Sequence, residues 1–305
     1  MTLLVALLGA AAPAHATFPG TNGRILFSSD QSGGTFNLFS MTSNGSDIKQ
    51  LTTLTANDGN AFLAAWSPDG TRIVYAQFVQ ALGIAQIFLM DADGSNQHQL
   101  LVDPNHHETW PSFSPDGRSV IFSRFSPDFE GAAIYTVKID GQGLNAITNL
   151  SKNVSSNVYD VSPKFSPDGN TISITSFNRG GVTGAIYLMD RRGSNIRMVT
   201  PSGLGGRVED WAPSGRQLAF TSNCCVVGHQ AIWAVGSDGT GLTQLTFPGK
   251  SNDFGPSYSP DGTQIAFERD SADFSTFNLL IMNSDGTNVK TILKDAGNPV
   301  WGPSN

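Results

Sequence analysis

The feature that most constrains the fold is a short turn sequence that recurs along the whole chain. Ser-Pro-Asp-Gly or a close variant follows an aromatic residue five times, and the turn glycines are Gly70, Gly117, Gly169, Gly215 and Gly262. A sixth turn glycine, Gly23, precedes these copies, and successive glycines lie 46 to 52 residues apart. A repeat of this length is typical of β-propellers and of helical arrays, so the pattern inside each repeat has to distinguish them.

Each repeat contains two apolar segments that have the pattern of β-strands. The first follows the turn and carries apolar residues two positions apart: Ile25 and Phe27, Ile73 and Tyr75, Val120 and Phe122, Ile172 and Ile174, Leu218 and Phe220, Ile265 and Phe267. The second segment begins at Leu38, Ile87, Ile134, Ile186, Ile232 and Leu279. Period two with β-branched and aromatic residues predicts strands rather than helices. After the second segment, a glycine turn and a short polar segment predict a third strand. The segment that ends at the next motif aromatic predicts the remaining strand, which is the innermost strand of the next repeat.

Four strands in each of six repeats predict an all-β fold, a six-bladed β-propeller of four-stranded blades. The repeats at the two ends of the chain are incomplete. GRILFSS, from Gly23, is a second strand with no first strand before it, and PVWGPSN, from Pro299, is a first strand with no second strand after it. We therefore expect the N- and C-terminal strands to share one blade and to close the ring. Closure would remove the exposed sheet edges of an open array.

The motif (W/F)-S-P-D-G-x-x-I-x-(F/Y), followed by I-(Y/F)-x-M-(D/N)-x-D-G-(S/T)-N, resembles the TolB-like propeller repeats. Such repeats occur in the periplasmic TolB protein and in the propellers of prolyl-oligopeptidase-type enzymes. The resemblance extends over residues 17–305, which we expect to form a single TolB-like β-propeller domain. It implies a module that binds another protein.

Charge and composition narrow the classes of partner. The chain has a formal net charge of −7, a pI near 5.1 and no cluster of Lys or Arg, so we expect no nucleic-acid partner. Residues 1–16 contain a short apolar run that ends in Ala14-His15-Ala16, which predicts a signal peptide. No segment approaches the roughly 20 apolar residues of a membrane span. We therefore expect an exported protein, periplasmic or secreted, that is monomeric.

The loops that lie at the end opposite the Ser-Pro-Asp-Gly turns are the expected binding face, because loops on a rigid scaffold carry function. Aromatic and charged residues collect there. The predicted contact residues for an envelope or extracellular protein are Trp110, Tyr159, Arg207 and Phe254.

Three carboxylates occupy equivalent positions, five residues before the motif aromatic: Glu108, Asp160 and Asp253. The other repeats have Ala61, Gly206 and Ala296 at this position. Three carboxylates that enter a central channel could bind a divalent cation such as calcium or manganese, since hard cations favour oxygen ligands. The alternative is that they cap solvated strand ends or bind channel water.

Histidines and cysteines give further candidates. His106, His107 and His229 are either ligands of a transition metal or solvated loop histidines. Cys224 and Cys225 are adjacent, and in an exported protein they either form a strained vicinal disulfide or remain two buried thiols.

The sequence has no G-x-S-x-G, H-E-x-x-H or P-loop motif, so it indicates no catalytic residue. The predicted function is that of an exported protein-binding scaffold. The alternative is a metal-assisted lyase or hydrolase that acts on an extracellular acidic polysaccharide. The two differ in one requirement, because the lyase needs a bound divalent ion.

Overall fold

The computed structural model describes residues 18–30, 34–182, 184–204, 206–222 and 229–304, and these residues form an almost entirely β structure. The strands group into units of four. Unit 1 contains β24 (Gly297–Pro303), β1 (Asn22–Ser29), β2 (Asn37–Met41) and β3 (Lys49–Gln50). Unit 2 contains β4 (Gly59–Trp66), β5 (Arg72–Val79), β6 (Ile84–Asp91) and β7 (His98–Gln99). Unit 3 contains β8 (Glu108–Phe113), β9 (Ser119–Phe125), β10 (Ala132–Lys138) and β11 (Asn145–Ala146).

The second half of the chain repeats this arrangement. Unit 4 contains β12 (Tyr159–Phe165), β13 (Thr171–Phe177), β14 (Ala185–Asp190) and β15 (Arg197–Met198). Unit 5 contains β16 (Arg207–Trp211), β17 (Gln217–Ser222), β18 (Ala231–Gly236) and β19 (Thr243–Gln244). Unit 6 contains β20 (Asn252–Tyr258), β21 (Gln264–Asp270), β22 (Phe277–Asn283) and β23 (Lys290–Lys294). Helix in the described residues is limited to α1 (Leu150–Ser155) and a 3-10 turn (Arg179–Gly181).

Within each unit the strands run antiparallel in chain order, except that β24 precedes β1 in unit 1. There β24 pairs with β1, and Ile25 lies opposite Trp301. Units 3 and 4 belong to one eight-stranded sheet, because Ala132 of β10 and Tyr159 of β12 form a parallel bridge. The all-β class and the positions of the strands agree with the sequence predictions.

The Ser-Pro-Asp-Gly segments are tight turns between the innermost and second strands. In unit 2 the Gly70 N–H donates to the Ser67 carbonyl oxygen at 2.9 Å, and the Ser67 hydroxyl donates to the Asp69 carboxylate at 2.6 Å. Gly70 has φ +67°, a conformation that glycine adopts without a steric penalty. The repeated motif is therefore explained by turn geometry.

The core lies between consecutive units rather than within one. Buried side chains form six clusters in the described residues, and each cluster contains residues of two units. The second glycine turn also reaches across this boundary, since a Cβ added at Gly94 would lie 2.7 Å from the Leu51 carbonyl oxygen of unit 1. One cluster joins Ile25 and Phe27 of unit 1 to Leu279 and Ile281 of unit 6.

No helix in the described part of the chain has the length and apolar character needed to cross a membrane.

Candidate binding face and central channel

The first strand of every unit contributes residues to one cavity. Its volume is about 880 Å³ when the part open to solvent is included. Trp110, Lys164, Asp210, Pro256 and Asn298 are among its lining residues, and they come from five different units. The innermost strands of the six units therefore meet at this cavity, which we call the central channel. Phe18, from the segment that precedes β1, also lines it.

A β-bulge or similar irregularity occurs in the innermost strand of every unit, as a shift of register against the second strand. In five units, the residue three positions before the motif aromatic has a positive φ and lines the channel. These residues are Leu63, Trp110, Ser162, Gly255 and Asn298. Proline follows this residue in four of the five cases. Bulges re-aim side chains at functional sites, so the shape of the channel wall depends on this feature.

Each of the three predicted carboxylates is fully buried and paired with an arginine. Glu108 accepts hydrogen bonds from Arg124, which also lies 3.3 Å from the Asp103 carboxylate. Asp253 accepts two bonds from Arg269, at 2.6 and 2.8 Å. In both pairs the arginine follows the carboxylate by 16 residues and comes from the second strand of the same unit.

In the third pair the arginine comes from the 3-10 turn instead of the second strand. Asp160 accepts hydrogen bonds from Arg179 at 2.6 Å, from the Ser176 hydroxyl at 2.6 Å and from Asn153 of α1 at 2.9 Å. Each of the three guanidinium groups lies over an aromatic ring: Arg124 over Tyr135, Arg179 over Tyr187 and Arg269 over Phe267. Stacking and ion pairing together fix each arginine in one position.

This geometry does not support the predicted cation site. Among the residues that the structure describes, no three His, Cys, Asp or Glu side chains lie close enough to hold a metal ion. Glu108, Asp160 and Asp253 instead have arginine as their counter-ion, which supplies the positive charge that a buried carboxylate requires. The alternative prediction of solvated strand ends does not fit either, because all three are buried.

One of these carboxylates keeps an unpaired oxygen. Glu108 Oε2 is buried and has no hydrogen-bond partner among the residues that the structure describes. Burial raises the pKa of Glu108 to about 7, and the nearby Arg124 opposes this shift. The group therefore titrates close to neutral pH.

The predicted histidines do not form a metal-binding group of three among the described residues. His106 Nδ1 lies 2.9 Å from the Asp103 carboxylate. His107 Nδ1 accepts a bond from the Ala85 N–H at 3.0 Å, and burial lowers the pKa of His107. His229 belongs to unit 5, and its buried Nδ1 has no partner in the described residues. Cys224 and Cys225, and the predicted signal peptide at residues 1–16, lie outside the described residues.

The four predicted contact residues are half-buried. Trp110 lines the channel and packs on Phe125. The Tyr159 hydroxyl donates to the Phe129 carbonyl oxygen at 2.9 Å. Phe254 packs on Phe274, with ring centroids 6.5 Å apart. Arg207 begins β16. These residues therefore support the loops around them.

The most exposed aromatic residues were missed by the sequence analysis. We define the loop-rich face as the end that contains the loops between second and third strands and the loops from each fourth strand to the next unit. The exposed phenylalanines of the described residues all lie there, 36% to 78% accessible: Phe36, Phe129, Phe177, Phe247 and Phe274. The sequence did contain a hint, since Ser-Pro-Asp-Phe at Ser126 is the turn motif with phenylalanine in place of glycine.

This geometry defines a class of protein, the β-propellers, and comparison with known proteins agrees with it. The family model of the TolB beta propeller domain matches residues 9–159 and 145–305. These matches extend over most of the chain, which therefore belongs to the TolB β-propeller family. A segment of 134 residues is 31% identical to the Protein TolB homolog of Chlorobium luteolum, and it spans 44% of this chain but 28% of that protein.

Solved structures show the same fold. The crystal structure of TolB from Acinetobacter baumannii superposes with a TM-score of 0.74 at 20% identity, over 92% of this chain and 67% of that one. An oligogalacturonate lyase in complex with manganese superposes with a TM-score of 0.59 at 16% identity, over 92% of this chain and 77% of the lyase. Identities this low show the fold alone.

Proposed function

We propose that this chain is an exported propeller of six four-stranded blades that binds another protein through its loop-rich face. The observation that carries the proposal is the placement of all five exposed phenylalanines of the described residues on that face. Large exposed aromatic groups that converge on one surface are typical of interaction sites. The partner would be an envelope or extracellular protein, and the propeller itself a monomer.

Contacts between units 1 and 6 support a closed ring. Asn22 and Asp261 exchange two hydrogen bonds, at 2.9 and 3.1 Å. A Cβ added at Gly45 would lie 2.5 Å from the Ile292 carbonyl oxygen. Together with the β24–β1 pairing and the cluster shared by units 1 and 6, these contacts make the last boundary between units like the other five. A closed ring would provide the rigid support that the loops need.

Site-specific photo-crosslinking tests the proposed function. Phe36, Phe177 or Phe247 is replaced, one at a time, by p-benzoylphenylalanine in the full chain, and the cells that express it are irradiated. We expect all three positions to give an adduct with the same protein, identified by mass spectrometry. Val289 is the matched control, because it is 41% accessible but lies beside the outer strand β23. Adducts of equal yield from Val289, or none from the three phenylalanines, would contradict the proposal.

We do not carry the polysaccharide-lyase alternative forward. The lyase that shares the fold is described with manganese. Here the three carboxylates that were predicted to bind such an ion are each held by an arginine. A second cation beside these ion pairs would have to displace a guanidinium that is hydrogen-bonded and stacked.

A further inference from the structure

Two loops on the loop-rich face are built as copies of the Ser-Pro-Asp-Gly turn, with phenylalanine at the glycine position. In the β9–β10 loop the Phe129 N–H donates to the Ser126 carbonyl oxygen at 2.9 Å, and in the β21–β22 loop the Phe274 N–H donates to the Ser271 carbonyl oxygen at 3.0 Å. The glycine turns have the same bond. Phe129 has φ +60° and Phe274 has φ +56°.

A bulky residue in the left-handed region is strained, and glycine would relieve the strain. The fold gains little in return. Phe274 is 62% accessible and has one ring neighbour, Phe254. Phe129 is 47% accessible and lies against His107 and Phe125. Backbone strain that the core does not require is typical of functional positions.

Carboxylates flank both phenylalanines. Phe129 stands between Asp128 and Glu130, and Asp273 precedes Phe274, and all three carboxylates are exposed. Hydrogen bonds from Ser126 and from the backbone of Glu130 lower the pKa of Asp128. Bonds from Ser271 and Ser275 lower the pKa of Asp273 to about 2. Each phenylalanine therefore projects from a surface that remains negatively charged even in mild acid.

Both loops begin next to a buried ion pair. Arg124, paired with Glu108, lies two residues before Ser126, and Arg269, paired with Asp253, lies two residues before Ser271. The two units thus share a carboxylate, an arginine and a Ser-x-Asp-Phe loop at the same spacing. The base of each loop is fixed by the arginine, so the phenylalanine is held in place before any partner arrives.

We propose that Phe129 and Phe274 are separate anchor residues on the loop-rich face, and that the partner is a protein segment that reaches both loops and has apolar side chains flanked by lysine or arginine. The proposal rests on the proposed function and specifies its partner chemistry. The apolar side chains would pack on the two rings, and the basic groups would face Asp128, Glu130 and Asp273. The charge complementarity favours a basic segment over an acidic polymer.

Binding of three fluorescein-labelled 15-residue peptides to the purified protein tests the partner chemistry. The first peptide contains two phenylalanines and four lysines, the second has glutamate for lysine, and the third has serine for phenylalanine. Fluorescence anisotropy should give a Kd at least tenfold lower for the first peptide than for the other two. The first peptide should also bind more weakly as salt is added, because surface charges are screened. Equal affinity for the three peptides, or no binding of the first, would overturn the proposal.

Substitutions of the proposed anchor residues test where the first peptide binds. Phe129→Ser and Phe274→Ser should each weaken binding of the first peptide at least fivefold, and the double variant Asp128→Asn/Asp273→Asn should reduce the salt dependence. Val289→Ser removes another exposed apolar residue, 41% accessible and located elsewhere, and should change Kd less than twofold. Loss of binding in Val289→Ser, or full binding in Phe274→Ser, would show that the peptide binds elsewhere.

Phe274→Gly separates recognition from folding. Glycine suits the left-handed turn, so we expect Tm to remain equal to wild type or to rise by about 2–4 °C while peptide binding is lost. A fall in Tm would assign Phe274 a structural role instead. The first peptide could fail to bind while p-benzoylphenylalanine at Phe36, Phe177 and Phe247 still forms an adduct with a protein. In that case the protein-binding function stands and only the partner chemistry is wrong.

Discussion

At the scale of single residues, the unusual feature of this propeller is a set of three carboxylates that are buried near the start of innermost strands. They are Glu108, Asp160 and Asp253. Glu108 differs from Asp160 and Asp253 because one of its oxygens has no hydrogen-bond donor in the described part of the chain. Removing such an oxygen from water without a compensating bond disfavours the charged form. This explains why the neighbouring arginine does not keep the pKa of Glu108 in the usual range of a glutamate.

Glu108 should make stability depend on pH near neutrality. Its pKa is about 7 in the folded protein against an ordinary 4.5, so between these values the native state holds a proton that the unfolded chain has released. Stability therefore falls as pH rises from about 4.5 to 7, by up to roughly 3 kcal/mol. Urea unfolding of wild type and Glu108→Gln from pH 4 to 8 should show this fall only in wild type.

Asp47 provides a control, because its contribution to stability changes with pH in the opposite direction to that of Glu108. The hydrogen bond from Arg24 lowers the pKa of Asp47, so its contribution is present above the ordinary value of 3.8 and is lost as pH falls through the lowered pKa. Asp47→Asn should thus be less stable than wild type by a constant amount above pH 3.8, and this difference should disappear as pH falls through the lowered pKa. A constant difference between wild type and Glu108→Gln at every pH would contradict the assignment.

At the scale of elements, two of the three buried pairs link an innermost strand to the strand beside it. Asp253 lies on β20 and Arg269 lies opposite it on β21. The innermost strands are bulged close to this point, where the ladder of backbone hydrogen bonds is interrupted. The side-chain pair therefore reinforces the two strands where the backbone pairing is weakest.

Arg269→Ala should destabilise the protein by about 3–5 kcal/mol, because it leaves the buried Asp253 carboxylate without its counter-ion. Removing both partners should cost less than Arg269→Ala alone, and a double-mutant cycle by urea denaturation gives the coupling energy. Arg24→Ala is the matched control, since the partner of Arg24 is the exposed Asp47, and its loss should cost less than the loss of Arg269. Equal costs for the two arginine variants would show that burial of the Asp253 pair is unimportant.

At the scale of the whole molecule, the two ends of the described chain meet in unit 1. β24 pairs with β1, and the Ser304 N–H donates to the Thr21 carbonyl oxygen at 2.9 Å. Stability then comes from apolar clusters between neighbouring units, and one such cluster joins units 1 and 6.

A circular permutant tests this closure. Ser304 is joined to Phe18 by a short glycine–serine linker, and the chain is opened between Ser202 and Gly203, in the exposed connection from β15 to β16. Because the joined ends already lie close together, we expect the permutant to fold with Tm within about 5 °C of the chain 18–304. Deletion of β24, residues 297–303, should instead abolish cooperative unfolding, since β1 loses its inner neighbour. Failure of the permutant to fold would contradict a closed ring.

The sequence by itself determined the fold class and the strand positions. Alternating apolar residues such as Ile73 and Tyr75, and turn residues such as Asp69 and Gly70, act over a few positions, so a local pattern suffices to read them. It also located Glu108, Asp160 and Asp253, because a shared offset from the motif aromatic gives each of them the same place in its unit.

Only the tertiary structure decided what those residues do. The arginines that pair with the three carboxylates lie 16 to 19 residues away, and nothing in the local pattern joins them. The exposure of Phe129 and Phe274 was equally hidden, because a phenylalanine in an apolar-rich repeat is ordinarily a core residue. Counter-ion choice and exposure depend on which strands and loops meet in space, and folding alone brings them together.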